Sequence, residues 1–300
     1  MNSRIGILGA PITVAQPIDG VDLGPQSIRY AGLVDRLADL NLAISDYGDV
    51  PVTNERSHHV DPKTNLRNLP IIAKNNQLIA DYVYDVKKKG DFPLVLGGDH
   101  SIAIGTIAAL HHFYKNLGVI WFDAHADLNS GDTSPSGNIH GMSLAVSLGI
   151  GHDQLTDIHG KRAKIKPENT VIIGARSVDQ GERELIQDLG IKVYTMHDLE
   201  KYGITHVMED AIGYLHERVD GIHLSLDVDG IDPTYTPGTG TPVSGGPTYR
   251  ETHLAMSMLY DAQLLTSMEV VEVNPLLDQG NKTAEIANDM IAAFFGEKYC

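Results

Sequence analysis

The sequence predicts an α/β protein built on a mostly parallel central sheet with helices on both faces. Three observations carry this. Short runs of Val, Ile and Leu recur along the chain and are apolar on both faces, as strands sandwiched between helices must be. Stretches of helical periodicity separate them, so strand and helix alternate. No internal repeat, low-complexity tract or Pro/Ser-rich linker interrupts the 300 residues, which therefore read as one domain, 1–300.

Taken in order, "RIGILGA" (4–10) is the first strand. "GPQSIRYAGLVDRLADL" (24–40) is a helix with Pro25 in its first turn, where a missing N–H costs nothing. A second strand lies at 42–46 and a long helix over 66–89. "FPLVLGG" (92–98) is a strand, followed by a helix over about 101–116. "GVIWF" (118–122) is the next strand. Further strands fall at 170–175, 191–195, 221–229 and 267–273, with helices near 180–189, 204–218, 248–262 and 281–295. The Gly/Pro-rich connections 10–24, 128–138 and 230–248 follow strands, which is where open parallel sheets bind ligands. Periodicity leaves the strand order open.

The composition narrows the function. Hydrophobic residues make up 42% and charged residues 21%, ordinary for a globular protein. No segment reaches the roughly 20 apolar residues of a membrane helix. "MNSRIGILGAP" reads as a strand, not a signal peptide. The net charge of −16 argues against nucleic acid or an anionic membrane as partner. It suits a small cationic substrate or a metal, although an acidic surface for solubility explains it as well. Cys300 is the one cysteine, so no intrachain disulfide forms, which fits a reducing cytoplasm.

Polar clusters stand at strand ends. "GVIWFDAHADLN" (118–129) sets Asp123, His125 and Asp127 at every second position, and an extended chain sends such side chains to one side. "LSLDVDGIDP" repeats the spacing with Asp227 and Asp229. "LVLGGDHS" ends in Asp99 and His100, "VVEVNP" in Glu272 and Asn274, and "SGNIHGM" carries His140. Gly97, Gly98, Gly137 and Gly141 permit close approach or positive φ. Taken singly, each has an ordinary reading: a lone His is usually structural, and Asp99 suits a helix cap. Together they conflict, because four carboxylates in one cleft do not all ionise unless cations hold them. Divalent metal resolves the conflict. His100, Asp123, His125, Asp127, Asp227 and Asp229 offer four carboxylates, whose charge two divalent ions neutralise. The oxygen-rich set without thiolate favours Mn2+ over Zn2+. Two such ions sharing a water lower its pKa and make a hydroxide nucleophile. Asp123 and Asp227 are candidates to bridge them, which spacing alone does not decide.

Six motifs in order, "GGDHS", "DAHADLN", "SGNIHGM", "SLDVDGIDP", "PGTGTPVSGG" and "VEVNP", resemble the signatures of the ureohydrolase family and, within it, of bacterial-type arginases. The resemblance runs from "GVDLGP" (20–25) to "FFGEK" (294–298). It implies a three-layer αβα fold and two Mn2+ per subunit. It also implies hydrolysis of L-arginine to L-ornithine and urea by a metal-bridging hydroxide, as in the urea cycle and arginine metabolism. Residue by residue, it assigns one ion to His100, Asp123, Asp127 and Asp227, and the other to Asp123, His125, Asp227 and Asp229. Glu272 would hold the guanidinium, Asp127 would take or pass the hydroxide proton, and His140 would shuttle a proton to the leaving amine. Asn129, Ser136 and Asn138 match positions that contact the α-carboxylate. Asp179 matches the position facing the α-amino group, with Glu182 on the same segment, and Thr241 lines the guanidinium end. Asp179 also stands where the helix at 180–189 needs a cap. The resemblance further implies a homo-oligomer, hexamer or trimer.

Three positions depart from the pattern. Ser177 stands where many arginases have Asp, Ala126 where Gly or Thr is more usual, and Asp132 adds a carboxylate to the substrate loop. Agmatinases share the metal set and are the nearest alternative. A binuclear phosphoesterase would need more His ligands and basic residues for phosphate. A non-catalytic metal-binding homologue would have lost His140, Glu272 or a ligand, and all are present.

Overall fold

The structure, a computed structural model, describes residues 4–56, 60, 63–160 and 163–298; Cys300 lies outside them. Along the chain the elements are β1 (Ile5–Ala10), α1 (Gly24–Tyr30), α2 (Leu33–Asp39), β2 (Ile44–Asp49) and α3 (Leu69–Lys88). Next come β3 (Phe92–Gly97), α4 (Ile102–Leu110), β4 (Leu117–Phe122), α5 (Ser143–Ser147) and α6 (Asp153–Thr156). The second half holds β5 (Thr170–Ala175), α7 (Gln180–Leu189), β6 (Lys192–Thr195), α8 (Met196–His216) and β7 (Gly221–Asp227). It closes with α9 (Tyr249–Ala262), β8 (Leu265–Val271) and α10 (Lys282–Phe294).

The eight strands form one sheet in the order β2-β1-β3-β8-β7-β4-β5-β6, and every pairing is parallel. Helices cover both faces, as the apolar strands require. Ile222, Leu224 and Leu226 of β7 pack with Val207, Met256 and Ile291 of α8, α9 and α10 on one side. Val95, Val119 and Trp121 pack with Ile72, Ile79 and Ile107 of α3 and α4 on the other. Burying each such side chain contributes about 1.5–3 kcal/mol relative to leaving it exposed.

β3 and β4 follow one another in the chain, yet β8 and β7 lie between them in the sheet. That crossover opens a crevice at the carboxyl ends of the four central strands.

Several expected elements differ. The helix over 24–40 is two, because Gly32 adopts φ 88° between α1 and α2. The helix after β3 ends at Leu110, six residues short of 116. The strand over 221–229 stops at Asp227 and passes into a single 3-10 turn, Val228–Gly230. The helix placed near 204–218 starts at Met196, where Thr195 and Asp198 form a capping box; Gly203 (φ 78°) interrupts it and hides its first turns from the periodicity. α5 and α6 are too short to register a period. β7 and β8 are not apolar on both faces: His223, Ser225, Ser267 and Glu269 are fully buried on one of them.

Candidate active site

The site is built at the carboxyl ends of β3, β8, β7 and β4. Gly98 lets the loop after β1 close over β3, since a Cβ there would lie 2.4 Å from the Ala10 carbonyl oxygen. Asp99 does not cap α4, whose N-cap is Ser101. Its Oδ2 accepts from the Ala15 N–H at 2.9 Å and clasps the same loop.

Asp123, His125 and Asp127 converge as expected, but not as an extended strand. β4 ends at Phe122, and the chain turns at once: Asp123 Oδ1 accepts the His125 N–H at 2.7 Å, and Asp127 sits in the left-handed region at φ 50°. Asp227 Oδ1 likewise accepts the Asp229 N–H at 2.7 Å. Each pair is held by a side chain bonding its own backbone two residues on.

His100 Nδ1 stands 3.1 Å from one oxygen each of Asp123, Asp127 and Asp227. His125 Nδ1 lies 3.4 Å from Asp123 and 3.2 Å from Asp229. Ligand atoms of His100, Asp123 and Asp227 lie within 4.8 Å of one another, as do those of Asp123, His125 and Asp229, so Asp123 is common to both groups. That span suits donors around an ion bound at about 2.1 Å.

A test of fit comes from His100. Its Nε2 is 2.8 Å from Ser225 Oγ, which in turn donates to Glu269 Oε1 at 2.8 Å. Ser225 spends its one proton on Glu269, so it accepts from His100 and the imidazole proton belongs on Nε2. Nδ1 is buried, makes no hydrogen bond and faces three carboxylate oxygens. A lone pair so surrounded calls for a cation.

The electrostatics of the cluster agree. Burial opposes a charged His100, yet three carboxylates hold its pKa well above the usual imidazole range. Burial also opposes charge on His125, and Asp123 and Asp229 still push it up to about 12. Burial and the Asp123 charge raise Asp229 to about 6 and raise Asp127; burial, Asp229 and Asp123 hold Asp227 well above the carboxylate range. Asp123 alone moves down: burial works against it, but His100 and His125 prevail. The cluster holds more negative charge than its own side chains can balance.

Above it opens a cavity of about 160 Å³. His125, Asp127, Asp227 and Asp229 line its floor; His140 and Thr241 stand on its wall. Asn129, Ser136, Asn138, Asp179 and Glu182 line the rest, so most of the expected substrate residues are assembled in one place. Ser177 faces the cavity too, whereas Asp132 is exposed and off it, and Ala126 is buried in the core.

Several of these side chains brace one another. Thr241 Oγ1 donates to Asp229 Oδ2 at 2.9 Å. Asn129 Nδ2 donates to Asp179 Oδ2 at 2.9 Å. Glu182 accepts from the Leu128 N–H at 2.9 Å and from the Asp179 N–H at 2.8 Å, tying the strand-end loop to the start of α7, and burial lifts its pKa to about 7. Asp179 caps α7 in a box with Glu182, as the sequence allowed.

Glu272 is buried behind His140, off the cavity lining, with φ 66°. Its Oε1 accepts the His100 N–H at 2.9 Å and lies 3.5 Å from His140 Nδ1; its Oε2 accepts from Gln16 Nε2 at 2.7 Å. Burial opposes charge on His140, but Glu272 raises its pKa. The sequence reading missed two residues. Gln16 lies 256 positions from Glu272, and no spacing links them. Ser134 also lines the cavity, and its Oγ accepts the Gly137 N–H at 3.0 Å; the small polar residues between Asn129 and Asn138 were the available signal.

Comparison with known proteins agrees with this geometry. The arginase family matches residues 3–296. An arginase of Bacillus caldovelox is 55% identical over 294 residues, 98% of each chain, and one of Bacillus subtilis is 53% identical over 298 residues, 99% of each chain. The solved structure of the Bacillus caldovelox arginase superimposes with a TM-score of 0.97 at 54% identity, covering 99% of this chain and all of that one. With a likeness that spans the whole sequence and a paired His/Asp cluster at the strand ends, this chain belongs to the arginase family and is a hydrolase.

Proposed function

We propose that this protein hydrolyses L-arginine to L-ornithine and urea. One observation carries the reading: a single narrow cavity joins a His/Asp cluster at its floor to a rim of amide, hydroxyl and carboxylate groups.

His100, Asp123, Asp127 and Asp227 would hold one divalent ion, and Asp123, His125, Asp227 and Asp229 a second. The oxygen-rich, thiolate-free donors favour Mn2+. When bound, two such ions supply charge neutralisation and a water acidified toward neutral pH. The chain's own residues do the remaining work. Asp127, which lines the cavity, would take the proton of an attacking water. With the floor carboxylates neutralised by the ions, Glu272 behind His140 would supply the negative charge that orients a planar guanidinium. His140, whose pKa Glu272 raises against the opposing effect of burial, would pass a proton to the departing amine of ornithine.

At the other end, Asn129, Ser136 and Asn138 would receive the α-carboxylate and Asp179 the α-amino group. Glu182 supports that end through its two backbone bonds. Agmatine lacks the carboxylate, so these contacts favour arginine. A homo-oligomer, trimeric or hexameric, and a place in the cytoplasm belong to the same reading. No helix among the described residues is long and apolar enough to cross a membrane.

The test is direct. Manganese-loaded protein is offered arginine, agmatine and a generic phosphodiester. Urea from arginine, and far less from agmatine, is expected. No urea from arginine with manganese confirmed bound would overturn the reading.

A further inference from the structure

Beneath the cluster runs a line of polar side chains that substrate binding does not use. On β7 every second residue faces the same side of the sheet, giving His223, Ser225 and then Asp227. β8 sets Ser267 opposite His223 and Glu269 opposite Ser225. His223, Ser225, Ser267 and Glu269 are fully buried, beside the Leu, Ile and Val residues of the central strands. A carboxylate and an imidazole in such a place cost stability. They persist here although Glu269 Oε2 meets no donor among the described residues.

Their bonding has a direction. A carboxylate only accepts, so Ser225 Oγ gives its proton to Glu269 Oε1 at 2.8 Å. That oxygen of Ser225 is then free to accept from His100 Nε2 at 2.8 Å. On the far side, His223 Nε2 lies 3.2 Å from the same Glu269 oxygen, and His223 Nδ1 is 3.0 Å from Ser267 Oγ. Despite burial, the neighbouring His223 holds the Glu269 carboxyl below its usual range. His100 stacks on Trp121, with ring centroids 4.1 Å apart and 5° between planes, which fixes the plane of the imidazole.

We propose that Glu269, acting through Ser225, is a positioning residue that keeps the His100 proton on Nε2 and so turns the Nδ1 lone pair toward the first metal ion. The inference rests on the metal reading above. Glu269 lies outside the ligand set and off the cavity lining. Ligand histidines commonly pass their second N–H to a carboxylate, and loss of that partner typically weakens metal binding 10–100-fold.

Manganese titration of metal-free protein, followed by electron paramagnetic resonance, tests it. Wild type should take up two ions. Ser225→Ala should weaken one of the two by about 10–100-fold and leave the other within about threefold. Glu269→Gln keeps the shape and an acceptor oxygen but not the charge, and should weaken the same ion by less. Circular dichroism and melting checks establish that each variant is folded, and Glu269→Gln carries the test if Ser225→Ala is not. Unchanged affinity for both ions, or equal loss at both, would overturn the proposal and mark the line as structural. A wild type that binds no manganese would instead sink the metal reading, and this inference with it.

Discussion

Replacing Asp179 separates its role as a helix cap from its proposed role at the α-amino group of the substrate. Asp179 is the N-cap of α7 and also the acceptor for Asn129 Nδ2 at the rim of the cavity. Losing a cap typically costs about 1 kcal/mol of stability. Losing a charge-assisted hydrogen bond to a substrate ammonium costs roughly 1.5–3 kcal/mol when buried. Asp179 is exposed, so solvent screening takes the second figure to about 1–2 kcal/mol. At 1.4 kcal/mol per tenfold, that is a rise in KM of about 5- to 30-fold. Asp179→Ala should therefore lose about 1 kcal/mol in urea denaturation and raise the KM for arginine within that range, with a smaller change in kcat.

Two controls make the reasoning refutable. Asp179→Asn keeps an oxygen acceptor but no charge, so it should recover most of the stability and little of the KM. The second control is 5-guanidinopentanoate, which lacks the α-amino group; its KM should hardly respond to either variant. Should its KM climb as steeply as that of arginine, Asp179 would be a cap and brace only, and the amino-group role would be wrong.

Other perturbations test the remaining parts. His140→Asn should lower kcat by about 10²–10⁴-fold, the usual worth of general acid–base catalysis, while manganese stoichiometry by elemental analysis stays at the wild-type value. Loss of metal in that variant would make His140 a structural support. Chelation of divalent ions should abolish turnover and lower the melting temperature, since the cluster's repelling carboxylates lose their counter-charge; a melting temperature indifferent to chelator and to added manganese would contradict this. His111, far from the site, has its pKa lowered to about 4 by burial, with its Nδ1 at 2.6 Å from the Ala108 carbonyl. A histidine depressed in the folded state leaves stability intact above the unfolded pKa of about 6.5 and loses it as pH falls toward 4, because the unfolded chain takes the proton first. The side chain is half-exposed, so the loss discounts to about 1 kcal/mol; His111→Asn should flatten the profile between pH 6.5 and 4, and an unchanged slope would refute the assignment.

The sheet was legible because strands buried on both faces leave an unmistakable trace. β1, β3, β4 and β5 are wholly buried, and their expected boundaries hold within one or two residues. What escaped was local. Gly32 and Gly203 break helices whose apolar pattern runs on regardless, and periodicity does not see a single residue at positive φ. Strand order escaped as well, because it depends on which crossover spans which neighbours. The polar face of β7 was present in the letters His223, Ser225 and Asp227, yet the Ile222, Leu224 and Leu226 series around it read as plain hydrophobicity.

The ligand candidates cluster as their spacing suggested, but by a different geometry. Alternate positions in "DAHAD" suggested an extended chain with three side chains on one face. Instead the strand ends before Asp123, and Asp127 reaches His100 by turning into the left-handed region. Glu272 sits at φ 66° just past the end of β8. Positive φ at a non-glycine residue costs roughly 1–3 kcal/mol and survives only where surrounding contacts enforce it. Both instances here are enforced by hydrogen bonds: the Asp127 carbonyl accepts the Leu144 and Ala145 N–H groups at 3.1 Å, and the Glu272 N–H donates to Gly98 at 3.0 Å. The even spacing of acids in the sequence thus reports that these residues share a site. It does not report how, because the bonds that bend the chain come from residues 17 and 174 positions away.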